Sequence, residues 1–276
     1  MKRGIIKFLI WFGIMIGLVI MSAMIWSLMF GNSQTITSLK WLQFLQDAGM
    51  FLLPPIICAW IWDEYHRPFR WLKMDRGTHW THFFLAFGIM IVALPAINLF
   101  AYLNSLIPLP ESMVQSELDL EQTMKTFLAA DNFADVMINI GLIALLPAIA
   151  EELTFRGTLQ QIISGSPSTS RLRLHLAIWI TAIIFSAIHL QFSGFIPRML
   201  MGALFGYMFV WSGSLWIPIL MHFTNNAIVV ILYQLLPENN NYADSIGAGT
   251  TWYIGLNSLI LTCLGLLIFY RRTHKR

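Results

Sequence analysis

The chain has 276 residues, of which 57% are hydrophobic and 11% charged, and its formal net charge is +3. A soluble domain carries about 25% charged residues, so this composition excludes a water-soluble globule, and the high apolar content excludes a disordered chain. The basic residues lie at the ends of apolar runs. This pattern argues against a nucleic-acid partner and is typical of a membrane orientation signal.

Apolar runs that approach the roughly 20 residues needed to cross a bilayer recur along the whole chain. The first run follows two basic residues, is too long for the apolar region of a signal peptide and lacks a small-residue cleavage site, so we expect an uncleaved helix. The pattern predicts an all-α fold, a polytopic membrane bundle of about eight transmembrane helices. The predicted spans are 4–30, 47–62, 82–106, 133–155, 174–191, 197–211, 215–236 and 251–270.

Lys and Arg are concentrated in alternate connections, as expected for the cytoplasmic side of a membrane protein. Of the 17 basic residues, 14 fall in the segments 2–7, 67–76, 156–173 and 271–276, and the exceptions are Lys40, Lys125 and Arg198. We therefore expect both termini in the cytoplasm, and the acidic loop 107–132 and the Asn-rich segment 238–250 on the outer side. The short loops favour a bacterial inner membrane.

The sequence predicts one integral-membrane domain, 1–276, in three parts. Residues 1–130 comprise three spans and the outer loop, 131–236 the core spans, and 237–276 the last span and a basic tail.

Ionisable side chains within apolar sequence are candidates for function, because such a group costs about 2.5 to 3.5 kcal/mol at the bilayer centre on insertion scales. Glu151 and Glu152 follow an apolar stretch, and Arg156 comes four residues after Glu152. On a helix, Arg156 lies about 40° from Glu152 and about 140° from Glu151. The spacing predicts a Glu152–Arg156 ion pair and leaves Glu151 pointing elsewhere, although a charge network at a helix end has the same pattern.

Two further polar clusters lie in later spans. Phe185 and His189 are four residues apart in the fifth span, and His222 and Asn226 are four apart in the seventh. Each pair shares one helix face, and each alone is at least as typical of interhelical hydrogen bonding as of catalysis. Three such clusters on three spans together favour an active site.

The three clusters, in this order, resemble the CAAX prenyl protease type II family, also called the CPBP or Abi family of intramembrane proteases. Its motifs are EExxxR, FxxxH and HxxxN or HxxxD, and the resemblance covers about residues 130–235. It implies a membrane-embedded endopeptidase with a polar cavity inside the bilayer. The family name implies a prenylated C-terminal CaaX peptide as substrate, whereas members in cells without protein prenylation must cleave another peptide or membrane protein.

The resemblance also implies roles for individual residues. Glu151 and His189 would activate the attacking water, and His222 and Asn226 would stabilise the oxyanion. The supporting structural residues would be Glu152, Arg156 and Phe185.

Two mechanisms stay open for this set. Family members are often labelled metalloproteases, and Glu151, His189 and His222 match a two-His, one-carboxylate zinc set with an open position. We favour a metal-free glutamate mechanism with no cofactor and keep Zn as the alternative. The HExxH motif of zinc site-2 enzymes is absent, because no His is followed by Glu.

The fourth span must be longer than its apolar run. If it began at Phe133 and ended with the apolar run, Glu151 would lie about 27 Å along it, near the membrane surface and too far from His189. We therefore expect the helix to continue through Leu159 and Ile163, with Pro147 bending it.

Two other function classes compete with a protease. A non-catalytic membrane protein of the same fold, such as an immunity or partner-binding factor, would keep the polar cluster for assembly, but it would need neither both His residues nor an unpaired Glu151. A transporter would use the cluster as an ion site, but the chain has no recognisable inverted halves. The expected partners are the substrate and the lipid bilayer, and the oligomeric state is left open.

Overall fold

The computed structural model describes residues 2–31, 33, 35–165, 170–235 and 246–274, so the predicted outer segment 238–250 lies outside the described residues except for 246–250. All regular elements in these ranges are helices. They are α1 (Lys2–Phe30), α2 (Ile36–Trp62), α3 (Pro68–Trp71), α4 (Trp80–Ser105), α5 (Glu111–Leu128), α6 (Phe133–Ser164), α7 (Arg171–Ala187), α8 (Phe195–Ser212), α9 (Trp216–Leu235) and α10 (Trp252–Thr273).

Seven helices in the described ranges are long and apolar enough to cross a membrane: α1, α2, α4, α6, α8, α9 and α10. The predicted polytopic bundle is thus confirmed. The fifth predicted span corresponds to α7, which has 17 residues. At 1.5 Å per residue it rises about 25 Å, less than the roughly 30 Å of a typical hydrocarbon core.

Hydrogen bonds at the two ends of α7 nevertheless show that this helix runs the length of the bundle. It begins beside the end of α6, where Arg173 Nε donates to the Ile163 carbonyl at 3.0 Å. It finishes beside the end of α4, where Asn104 Nδ2 donates to the Phe192 carbonyl at 2.8 Å. Eight described helices therefore connect two ends of the bundle.

One end, the basic end, is formed by residues 63–79 and the start of α7, and the first turns of α1 and the last turns of α10 lie there. The Lys7 ammonium sits 5.5 Å from the Trp71 ring centroid. Near the other terminus, the Trp211 and Tyr270 rings are 5.3 Å apart, and Leu215 donates its N–H to the Lys73 carbonyl at 3.2 Å. The assignment of this end to the cytoplasm stays a prediction.

The second span begins earlier than its apolar run suggests, at Ile36 instead of 47. Its polar residues find partners within the bundle, so the helix does not have to end where polarity begins. Lys40 Nζ donates to Asn139 Oδ1 of α6 at 2.8 Å, and Gln43 Nε2 donates to Asp47 Oδ2 at 2.9 Å.

The prediction of a long loop over 107–132 was wrong, because most of this segment forms α5. A search for apolar runs misses an amphipathic helix, whose charged face is exposed while its other face covers part of the bundle. The C-terminal end of α5 is anchored by hydrogen bonds to the Leu128 carbonyl, which accepts from Asn139 Nδ2 at 3.0 Å and from Gln234 Nε2 at 2.6 Å.

The expected extension of the fourth span is confirmed, since α6 continues to Ser164 and places Glu151 in its interior. Two π-helical turns, Ile140–Leu145 and Phe155–Gln160, flank this residue. Pro147 follows the first of them, at the start of the α-helical turns that carry Glu151. Wider turns of this kind free backbone carbonyls for other partners and are frequent at functional sites.

The remaining predicted spans differ from α1, α4, α8, α9 and α10 by three residues or fewer at each end. The largest group of buried apolar side chains joins α4, α8, α9 and α10. Gly202 favours close packing of α7 on α8, because a Cβ there would lie 3.1 Å from the Ala182 Cα, closer than an ordinary van der Waals contact.

Candidate active site

A cavity of about 520 Å³ lies among α2, α5, α6, α8, α9 and the turn after α7. The four residues predicted to be catalytic all line it: Glu151, His189, His222 and Asn226. They come from two helices and one turn that are up to 75 residues apart in sequence. The fold thus brings together side chains that the sequence could only propose as a group.

Glu151 is the least engaged of the four. It is only 9% exposed, and its Oε2 is buried without a hydrogen-bond partner among the described residues. A carboxylate oxygen without a partner is unusual in a folded interior. Its position on the cavity wall leaves it available to a water or a substrate group.

Glu152, the next residue, points about 100° away around α6 and is fully buried. Its Oε1 accepts from Arg156 Nη1 at 2.6 Å and from His222 Nδ1 at 3.0 Å. The i,i+4 ion pair that the spacing predicts is therefore present. The contact with His222 was not predicted, since sequence gives no register between α6 and α9.

Arg156 is enclosed on all sides and has no exposed surface. Its Nη2 donates to the Gly202 carbonyl at 2.9 Å, and its guanidinium lies 4.7 Å from the Phe185 ring centroid and 5.4 Å from that of Phe205. A cation between aromatic faces is stabilised by the ring quadrupoles. Arg156 thereby links α6, α7 and α8.

His222 has a fixed ring orientation. Because the Glu152 carboxylate can only accept, His222 Nδ1 carries the proton of their hydrogen bond. The ring stacks on Phe205 at 5.5 Å between centroids and meets the Phe185 ring edge-on at 5.9 Å. Glu152 and the two aromatic rings therefore determine how His222 faces the cavity.

His189 does not lie in the fifth span, as the sequence suggested, because α7 ends at Ala187. It sits in the following turn, where Leu190 adopts a left-handed conformation with φ 54°. The Phe185 carbonyl accepts from His189 Nδ1 at 2.8 Å. In the neutral ring this leaves the lone pair on Nε2, the form that can accept a proton.

The turn that carries His189 is held from two sides. Asn104 of α4 binds the backbone on both sides of the turn. The Asn104 Oδ1 accepts from the Ile196 N–H at 2.7 Å, and the Asn104 Nδ2 donates to the Phe192 carbonyl. Glu117 of α5 accepts from the N–H groups of Phe192 and Ser193, at 2.6 and 2.9 Å, and from the Ser193 hydroxyl. Asn104 and Glu117 were both missed, because nothing in the sequence links them to this turn.

Asn226 lies one helical turn after His222 on the cavity wall. Its Nδ2 donates to the Ile143 carbonyl at 3.3 Å, which belongs to the first π-helical turn of α6. An amide NH₂ has two donors, so one N–H remains after this bond. The contact fixes the amide at the cavity edge with a donor to spare.

Comparison with known proteins identifies this part of the chain. The model of the family described as type II CAAX prenyl endopeptidase Rce1-like matches residues 133–228. Residues 133–228 thus match the Rce1-like CAAX protease family, and they are called the CAAX protease region below. All four cavity-lining candidates fall within this CAAX protease region, whereas the walls formed by α2 and α5 lie outside it.

Two relatives match part of the chain. The membrane-embedded CAAX protease MroQ of Staphylococcus aureus is 32% identical over 108 residues, which is 37% of this chain and 42% of the relative. The uncharacterized protein YpbD of Bacillus subtilis is 32% identical over 90 residues, 31% of this chain and 41% of the relative. The chain thus matches about two fifths of the length of each relative, and no solved structure matches it significantly.

The zinc alternative finds no ready ligand set in this geometry. Within the described part of the chain, no three His, Cys, Asp or Glu side chains are close enough together to hold a metal ion. Glu151, His189 and His222 share a cavity wall, but they do not form the two-His, one-carboxylate arrangement of a catalytic zinc site. The absence of a cofactor stays a prediction.

Arg198 also lines the cavity and was omitted from the site prediction. It lies near the start of α8, and its Nη2 donates to Gln191 Oε1 at 2.6 Å. One signal for it was present in the sequence. Arg198 is one of three basic residues outside the segments assigned to the cytoplasm, and a cation inside an apolar helix is a functional candidate by default.

Proposed function

We propose that the chain is an intramembrane endopeptidase that hydrolyses a peptide bond of a peptide or membrane-protein segment held in the cavity. The observation that carries this proposal is the contrast within one helical turn, where Glu151 lines the cavity and forms no hydrogen bond with the described residues, while Glu152 lies away from the cavity and binds Arg156 and His222 through its Oε1. A protein that kept these residues only for assembly would have no use for the unpaired carboxylate.

In the proposed reaction, Glu151 and His189 hold a water between them. Glu151 takes a proton from the water as its oxygen attacks the carbonyl carbon, and the C–O π electrons move onto the carbonyl oxygen. His189 Nε2 accepts a hydrogen bond from the water and orients it. The proton then passes to the amide nitrogen as the C–N bond breaks, which releases the amine and restores the Glu151 carboxylate.

His222 and Asn226 stabilise the negative charge that develops on the oxygen. Asn226 donates the N–H that its bond to Ile143 leaves free, and His222 donates from Nε2 when both ring nitrogens are protonated, with Glu152 as its counter-ion. Such donors act best when they are fixed before the reaction. The bonds of Asn226 to Ile143 and of His222 to Glu152 provide that fixation.

The test compares membranes that contain the wild-type chain, Glu151→Gln or Glu121→Gln by mass spectrometry of peptides and new chain ends. Glu151→Gln removes the base with little change in volume, and Glu121→Gln makes the same substitution on the exposed face of α5. We expect the same products from the wild type and Glu121→Gln and their loss in Glu151→Gln. Identical profiles in all three would contradict a protease and favour a non-catalytic, partner-binding protein.

A further inference from the structure

Arg198 places a positive charge on the cavity wall without a close counter-ion. Its guanidinium donates to Gln191 Oε1 at 2.6 Å and to the Gln191 carbonyl at 3.5 Å, and both acceptors are neutral. In the described part of the chain no carboxylate oxygen lies within 4.0 Å of it. Glu151 and Glu117 attract it electrostatically, but neither forms an ion pair with it.

Arg156 shows how the same bundle treats an arginine that serves only structure. It has a carboxylate at 2.6 Å, a backbone carbonyl and aromatic rings around it, and it is closed off from the cavity. Arg198, by contrast, is half-buried and lines the cavity. A cation that is removed from water needs a counter-ion to offset its lost hydration. Among the described residues, Arg198 has no such counter-ion close to it.

A carboxylate is the group that best completes this environment. The guanidinium has five N–H donors in a planar fork that matches the two oxygens of a carboxylate, and Gln191 occupies only two of them. The neighbouring cavity wall is mostly apolar, with Met201, Phe205 and Val229 among the lining residues. The cavity thus suits a segment that is apolar along its length and carries one negative charge.

We infer that Arg198 is a substrate-binding residue that pairs with a carboxylate of the bound peptide, either its C-terminal α-carboxylate or an acidic side chain. The inference rests on the proposed function insofar as the occupant is a peptide. It assigns to Arg198 a binding role that is separate from the water activation assigned to Glu151 and His189.

The experiment measures binding rather than cleavage. Three probes are compared by fluorescence anisotropy on the purified full chain and on its Glu151→Gln variant: a labelled short leucine–alanine peptide with a free C-terminal carboxylate, its C-terminal amide, and the amide with one internal glutamate. We expect the free acid to bind about tenfold more tightly than the amide, as a lost charge-assisted hydrogen bond predicts. Recovery of affinity by the internal glutamate identifies a side-chain carboxylate as sufficient, and no recovery restricts the site to the chain terminus.

Arg198→Gln should abolish the preference for the acid, and Arg198→Lys should retain part of it. Lys40→Gln is the matched control, because Lys40 is also a cavity-lining cation with a neutral amide partner, Asn139, but its ammonium lacks the planar fork of a guanidinium; it should keep the preference. Thermal melting by tryptophan fluorescence checks that each variant is folded. If Arg198→Gln does not fold, the wild-type probes and Arg198→Lys still decide the question.

Equal affinities of the wild type for acid and amide, or an absence of saturable binding, would overturn the inference. So would an undiminished preference in folded Arg198→Gln, or loss of the preference in Lys40→Gln alone. Selective binding without cleavage would leave the subsite standing and contradict only the protease proposal. Cleavage without selectivity would contradict only the subsite.

Discussion

Glu151 and Glu152 are adjacent in one helix, yet their surroundings are opposite. Glu152 is inaccessible to solvent, and its Oε1 binds an arginine and a histidine, whereas Glu151 lines a cavity and forms no hydrogen bond with the described residues. Because consecutive helical residues point about 100° apart, one turn of α6 serves two regions of the molecule. The packed side supports the bundle, and the open side is available for chemistry.

The largest expected effect is on stability, for substitutions on the packed side of α6. Glu152→Gln or Arg156→Met leaves one charge buried without its partner, and we expect a loss of about 3 to 5 kcal/mol. The measurement is thermal and denaturant unfolding in detergent, followed by tryptophan fluorescence.

Glu121→Gln is the matched control for that loss. Glu121 and Lys125 form an ion pair with the same i,i+4 spacing and the same 2.6 Å distance, but their side chains are 55% and 40% exposed. Because solvent screens exposed pairs, this variant should melt like the wild type. Equal destabilisation by Glu152→Gln and Glu121→Gln would contradict the distinction between the two environments.

The next largest effect is expected for the residues that line the cavity, where substitution should lower the turnover rate more than the stability. Asn226→Ala removes a donor toward the developing oxyanion and should lower turnover about 10²-fold with little change in melting. His222→Ala should lower turnover at least as much and should also reduce stability, because it takes a hydrogen bond from Glu152. Unchanged turnover in Asn226→Ala would remove this residue from the proposed mechanism.

Chelation separates the metal-free mechanism from its zinc alternative. In the metal-free mechanism, purified protein treated with chelator keeps its turnover and contains no stoichiometric zinc. In the alternative, turnover is lost on chelation and returns with Zn²⁺, and His222→Ala, but not Asn226→Ala, loses the bound metal.

The smallest effect is expected at the turn that carries His189. Burial alone would raise the pKa of Glu117, but hydrogen bonds from the Ser193 hydroxyl and from the N–H groups of Ser193 and Phe192 outweigh it and hold that pKa below its usual value of 4.5. A carboxyl with a lowered pKa contributes its full stabilisation above the usual value, and this contribution is lost as pH falls below 4.5 through the folded value.

Hydrogen exchange of the segment 188–196 measures this attachment. Protection of the Phe192 and Ser193 amides, relative to their intrinsic exchange rates, should fall about tenfold or less in Glu117→Gln at neutral pH. In the wild type the protection of these amides should fall only below pH 4.5. Glu121→Gln should change neither, and full protection in Glu117→Gln would show that α5 does not hold the turn.

Much of the fold followed from apolar length and charge placement, because spanning helices must be long and apolar. Local spacing also gave the Glu152–Arg156 pair, since i,i+4 neighbours meet on any helix. The loop prediction for α5 failed because an amphipathic helix has no long apolar run. The start of α2 was missed because Lys40 and Asp47 find partners inside the bundle.

The site was predictable as a set of residues but not as an arrangement. The three motifs named side chains that line one cavity, but the hydrogen bond of His222 to Glu152 depends on how α9 packs on α6. Arg198 and Glu117 belong to no motif, and their proximity to His189 depends on the turn after α7. Contacts between distant segments of this kind are set by packing, which spacing along the chain does not encode.

The division of roles between the two glutamates is tested most directly by measuring peptide turnover and unfolding together for Glu151→Gln and Glu152→Gln, with a peptide substrate identified by mass spectrometry. Glu151→Gln should lose about 10²- to 10⁴-fold in turnover, the range for a general base, and melt like the wild type. Glu152→Gln should melt at a clearly lower temperature. Wild-type turnover in folded Glu151→Gln, or wild-type stability in Glu152→Gln, would contradict the account.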